Sequence, residues 1–180
     1  MTRVLRQVTS PEVHELHAFL DAFRKESDRG AVLVAASRID EILKTLLRSY
    51  LRDTKSASEL LENSRGPLGT FASRACAAHA LALIEDHEFR EITLIRKIRN
   101  EFGHEWRDIG FVSQRVRSFC TALPWLGPKD TAAAQRTGRL RFSSVVAVLL
   151  TDLLWREHLV VSEQRTARQW TNTTRRSAKA

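Results

Sequence analysis

Seven glycines and four prolines in 180 residues leave this chain few places to turn sharply. A sandwich or barrel needs a turn signal about every 8–12 residues. This argues against a sandwich or barrel. Leu, Ala, Arg and Glu, which are good helix formers, are plentiful. With 43% apolar residues the chain can build one sizeable core, and its length suits a single domain.

Apolar stripes at helical spacing recur along the chain. At "TSPEV", Thr9 or Ser10 can cap, Pro11 fits the first turn, and Glu12 can close a capping box with Thr9. Val13, Leu16, Leu20 and Phe23 follow on one stripe. Asp28 is read as the cap of a long helix over about 29–51. Its inner face holds Val32, Ala35, Ala36, Ile39, Ile42, Leu43 and Leu46, and its outer face Arg38, Asp40, Glu41, Lys44 and Arg48. A one- to two-turn helix around Glu59–Leu61 and a turn at Gly66, Pro67 and Gly69 come next. An alanine-rich helix over about 70–84 offers small side chains that let a neighbour approach closely. Asp86 caps a helix over about 87–102 with Phe89, Ile92, Ile95 and Ile98 inside, and Gly103 is placed to end it. Helices over about 112–123 and 140–160 flank the longest loop, 124–138. The expectation is an all-α, single-domain bundle of about six to seven helices over 1–162, with a basic flexible tail over 163–180.

The net charge is +8, and the tail supplies about half of it: Arg165, Arg168, Arg175, Arg176 and Lys179 against Glu163. These five cations are the candidate nucleic-acid contacts. Cys76 and Cys120 form no CxxC and read as buried reduced thiols. His14 and His17 lie one turn apart without a nearby third ligand, so no metal site is expected. "GPLG" is a turn rather than a phosphate cradle, and no cofactor is implied. The start of the chain has no secretion-signal run, and the apolar stretch 145–155 is broken by Thr151 and Asp152. A soluble cytoplasmic chain is expected.

A DNA-reading helix should present polar side chains along one face. The helix after "SRGPLG" offers only Thr70, Ser73, Arg74 and His79. A standard helix-turn-helix is not expected there.

"KIRNEFGH", residues 97–104, holds the chemistry-bearing residues. On a straight helix Arg99 and His104 stand about 140° apart around the axis. A bend at Gly103 would swing His104 back beside Arg99, where Asn100 could hydrogen-bond the imidazole or a ligand phosphate. Arginine holds a phosphate with its planar fork. Histidine moves a proton near neutral pH. The three could cleave RNA through the ribose 2′-hydroxyl without a metal. The structural alternative has Arg99 on helix-end carbonyls or on a carboxylate such as Glu101 or Asp108, with His104 capping the terminus.

The stretch "GPLGTFASRACAAHALALIEDHEFREITLIRKIRNEFGHEWRDIGF", residues 66–111, resembles the mannitol operon repressor (MltR) family. The likeness rests on the Gly66–Gly69 turn, Arg74, "ALALI" before an acidic cap and "EF", and "IRKIRNEFGH". It implies an all-helical, repressor-like transcriptional regulator of sugar-alcohol metabolism that lacks an evident DNA-binding motif and works through a partner or by weak nucleic-acid contact. "RNEFGH" is also similar to the Arg-to-His signature of HEPN domains, helical and commonly dimeric, many of them metal-independent endoribonucleases of toxin and phage-defence systems. Carried over, Arg99 and His104 would be catalytic and Asn100 supporting. The expected partners are a second copy of the chain, a DNA-binding or antitoxin protein, and RNA or DNA.

Overall fold

The stripes predicted from the sequence sit on two long helices, α2 (Asp28–Tyr50) and α5 (Asp86–His104). The computed structural model describes residues 11–104, 109–127 and 138–168. Six further helices lie among the described residues: α1 (Pro11–Lys25), α3 (Lys55–Glu62), α4 (Phe71–Ala80), α6 (Gln114–Ala122), α7 (Gly138–Leu154) and α8 (Arg156–Val161). The fold is all-α as expected, and no described residue lies in a strand. The Thr9 and Ser10 cap lies outside the described residues.

Helix α2 is the hub, packed against α1, α3, α4, α5, α7 and α8. Ala31, Val32, Ala35, Ala36, Ile39, Leu43, Leu46 and Leu47 are all buried along it. Its cap is Ser27, whose hydroxyl accepts the Gly30 N–H at 3.0 Å, rather than the expected Asp28. Asp28 is the first helical residue, and its carboxylate takes Arg139 (3.4 Å) and the Phe111 N–H (3.4 Å) instead. Ile92, Ile95, Ile98 and Phe102 bury one face of α5, at about 1.5–3 kcal/mol for each large side chain. Arg139 also donates to three carbonyls at the α1–α2 corner and lies over the Phe23 and Phe111 rings. It thereby staples α7 to the start of α2.

Helix α4 ends earlier than the expected 84. Leu81 caps it, Ala82 turns left-handed at φ 57, and Leu83 N–H reaches back to Ala78 O at 2.8 Å. The Ala82 N–H bonds His79 O at 2.9 Å, completing a Schellman stop. Glycine usually signals this stop, and here the sequence has alanine. The expected single helix over 140–160 is two, divided at Trp155. Arg156 then turns in to grip buried Glu88 with two guanidinium nitrogens, at 3.0 and 2.8 Å. Glu88 also accepts the Glu85 N–H at the start of α5, so one carboxylate caps one helix and anchors another.

Cys120 is buried, and burial pushes its thiol up to about 12. Cys76 is exposed, not buried as expected, because it lies on the side of α4 opposite buried Ala75 and Ala78. The segment after α8 is tied down at its start: Arg165 N–H donates to Tyr50 O at 2.8 Å, and the Arg165 guanidinium covers the Tyr50 ring. No helix among the described residues is long and apolar enough to cross a membrane.

Ala82→Gly should stabilise the fold by about 1 kcal/mol, because glycine adopts the left-handed region without the Cβ penalty. Chemical denaturation checks this, and an unchanged or lower midpoint contradicts it. Glu91 is buried beside α7, and burial, then Glu88 and Asp152, push its carboxyl above its usual range. The folded state thus holds this proton more tightly than the unfolded chain, so its contribution is most favourable at acid pH and is lost as pH rises above about 4.3. Glu91→Gln should raise the melting temperature at pH 7 by about 2 °C, with a smaller gain at pH 4. Equal gains at both pH values would contradict the assignment.

Candidate functional site

The "GPLG" turn folds back on the end of α3. Gly69 N–H bonds Gly66 O at 2.9 Å, and Leu68 N–H bonds Leu60 O at 3.1 Å. A Cβ on Gly69 would strike the Asn63 carbonyl and come within 2.6 Å of Ser64 O, both rigid backbone. Only glycine fits there. The turn delivers Thr70 as the cap of α4, where the Thr70 and Ser73 hydroxyls form a reciprocal capping box.

Arg74, one turn into α4, points at α2. Its Nη1 lies 2.8 Å from both Asp40 carboxylate oxygens, and its Nη2 donates to Leu61 O (3.3 Å) and Gly69 O (3.5 Å). The Arg74 side chain is only 11% exposed. One largely covered guanidinium therefore clamps α2, the end of α3, the turn and α4 together.

Between α2, α4 and α5 this clamp leaves a cleft of about 350 Å³. Helix α5 lines it with Arg96, Arg99 and Asn100, three positions on one helical face. Helix α2 supplies Ser37 and Asp40, and α4 presents its first turn, Phe71 and Ala72. The first backbone N–H groups of a helix have no acceptor within the helix and face outward at its start. Arg99 Nη1 donates to Asn100 Oδ1 at 3.3 Å. Neither Arg96 nor Arg99 has an ion-pair partner among the described residues, and the Asp40 carboxylate opposite is occupied by Arg74. Hydrogen-bond donors line the cleft, and among the described residues its two α5 arginines have no carboxylate partner.

Arg99 and Asn100, singled out from the sequence, do share this cleft. His104 does not line it. The reason is the expected bend at Gly103, which is not made: α5 runs on through His104, and no described glycine has a positive φ. An added Cβ at Gly103 would meet only Arg99 Nη1, at 3.9 Å. The α5 end is instead held by Arg29, whose Nη1 donates to Phe102 O. Glu101 pairs with Arg115 at 3.4 Å, and Asp108 lies outside the described residues. Arg96 was missed in the sequence, although its spacing to Arg99 was there to read.

The four polar residues considered for DNA reading on α4 are all committed. Thr70 and Ser73 cap the helix, and Arg74 is in the clamp. His79 Nε2 lies 2.8 Å from Asp86 Oδ1, stacked on Phe89. That hydrogen bond holds the Asp86 carboxyl below its usual range. Of the tail cations, Arg165 and Arg168 are described and exposed; Arg175, Arg176 and Lys179 lie outside the described residues. A second cleft, about 400 Å³ between α1, α2 and α8, is lined by carboxylates that already have partners: Glu15 and Glu41 hold Arg38, and Glu12 faces His158 at 3.6 Å.

No protein-family model and no curated protein matches the chain. Two solved structures share its fold. One is MtlR from Escherichia coli in its complex with HPr, 21% identical, with a TM-score of 0.55 over 79% of this chain and 97% of that one. The other is YggD from Shigella flexneri, described as a possible transcriptional regulator, 16% identical, with a TM-score of 0.55 over 81% of this chain and 99% of that one. The chain thus has an MltR-like helical fold, in agreement with the resemblance carried by residues 66–111.

Gly69→Ala should destabilise the protein by about 1–3 kcal/mol, since the turn backbone must move to admit the methyl group. Urea unfolding measures it, and a variant as stable as the parent would show that the turn is not close-packed.

Proposed function

We propose that this chain is a regulator of transcription of the MltR type that acts through a protein partner. The observation that carries the reading is the shared fold with MtlR in its HPr complex and with YggD, over nearly the whole length of both chains. The commitment of Thr70, Ser73, Arg74 and His79 to internal contacts supports it. With those side chains engaged, α4 has no polar face for base edges, and a partner supplies any sequence reading. The tail adds sequence-independent attraction to phosphate backbones, and the regulator works as a homodimer.

Two titrations test this reading. In the first, purified HPr is titrated into the protein; saturable binding supports a protein partner. In the second, DNA binding is followed against salt with and without residues 163–180. The expected binding is weak and sequence-independent, with a slope that flattens on truncation by about 0.9 for each phosphate contact removed. Tight, sequence-specific binding that survives truncation would overturn the reading. Sedimentation at micromolar concentration should give a dimer.

A ribonuclease of the HEPN type is the second reading, favoured by one observation: Arg99 and Asn100 face a common cleft with donors free for a phosphate. In a single chain His104 is turned about 140° from Arg99 by the straight helix. This reading therefore needs a second copy to bring an imidazole to the cleft. Incubation with RNA in EDTA separates the two readings. The regulator leaves RNA intact, whereas cleavage lost in both folded Arg99→Ala and His104→Ala variants would replace it with the nuclease.

A further inference from the structure

We propose that the cleft between α2, α4 and α5 is a binding site for a small phosphate-bearing anion. The inference goes beyond the regulator reading and does not depend on it.

The first ground is charge without a counter-charge. Arg96 and Arg99 are three residues apart on one face of α5, so their guanidiniums repel each other. Most cations on the neighbouring helices have found a carboxylate: Arg38 has Glu15 and Glu41, Lys44 and Arg48 have Glu62, and Arg74 has Asp40. Arg96 and Arg99 have none among the described residues, although Asp40 stands in the same cleft. Both oxygens of Asp40 are held at 2.8 Å by Arg74. The clamp thus neutralises the one carboxylate among the described residues lining the cleft.

The second ground is shape and donor geometry. The cleft, at about 350 Å³, is in the range of small-ligand sites, which begin at about 300 Å³. It is closed on the α4 side by Phe71 and Ala72, whose backbone N–H groups start a helix. Two planar guanidinium forks on one wall and helix-start amides on another suit a tetrahedral dianion approached from two sides. The Ser37 hydroxyl and the Asn100 amide, on the remaining surface, suit the hydroxyl groups of a small polar body attached to that phosphate.

Calorimetric titration of the full chain tests the site, with inorganic phosphate, glycerol 2-phosphate and a short single-stranded oligonucleotide as probes at constant ionic strength. The two small phosphates should bind with a Kd of about 1 mM or tighter. Arg96→Ala and Arg99→Ala should each weaken this about tenfold or more, while Arg117→Ala, exposed on α6, should leave it unchanged. Arg96→Lys keeps the charge and the stem and guards against an unfolded alanine variant; it should bind between the wild type and Arg96→Ala. No heat with either small phosphate, equal affinity in all variants, or binding of the oligonucleotide alone would overturn the proposal.

Discussion

The half-buried pair between Arg74 and Asp40 is the interaction on which the other features of the fold's functional face depend. Desolvating two charges is unfavourable, and the loss is recovered only where geometry and additional hydrogen bonds are good. Here Asp40 accepts through both oxygens, and Arg74 spends its second terminal nitrogen on two backbone carbonyls. Those carbonyls belong to the end of α3 and to the glycine turn. The pair therefore fixes the angle at which α4 leaves the turn and the depth at which it lies against α2. Small side chains at Ala75 and Ala78 then allow the close approach that the clamp directs.

The cleft follows from that geometry. Holding α4 by its first turn places the helix start opposite the Arg96–Arg99 face of α5. Because Asp40 is already engaged by Arg74, it forms no salt bridge with Arg96 or Arg99 across the cleft. Arg29 and Arg156 perform the complementary task at the two ends of α5, one on the Phe102 carbonyl and one on Glu88. The long helix that carries the cleft residues is thus restrained at both termini.

Much of this was legible in the sequence, and the boundary between what was and was not is physical. The stripes through Val32–Leu46 and Ile92–Ile98 showed the helices because burial follows the helical period directly. The scarcity of glycine and proline argued against a sandwich or barrel. Asp40 read as a solvated outer-face charge because its partner lies 34 residues away, and only the relative placement of two helices brings them together. The stop after α4 was invisible because Ala82 occupies a position where glycine is the usual signal. Gly103 misled in the opposite direction: a glycine looked like a stop, but α5 continues through it and nothing crowds the site. Arg96 could have been found by applying the three-residue spacing to "IRKIRN", since Arg96, Arg99 and Asn100 must share a face on any helix.

Nitrogen–proton NMR offers the most direct test, by following the Nε–H groups of Arg96 and Arg99 and the amides of Phe71 and Ala72 as inorganic phosphate is added. If the clamp builds an anion cleft, these four signals move together and saturate along one binding curve. If they stay fixed while arginines on the outer surface shift, the cleft is only a gap between helices, and the central claim fails.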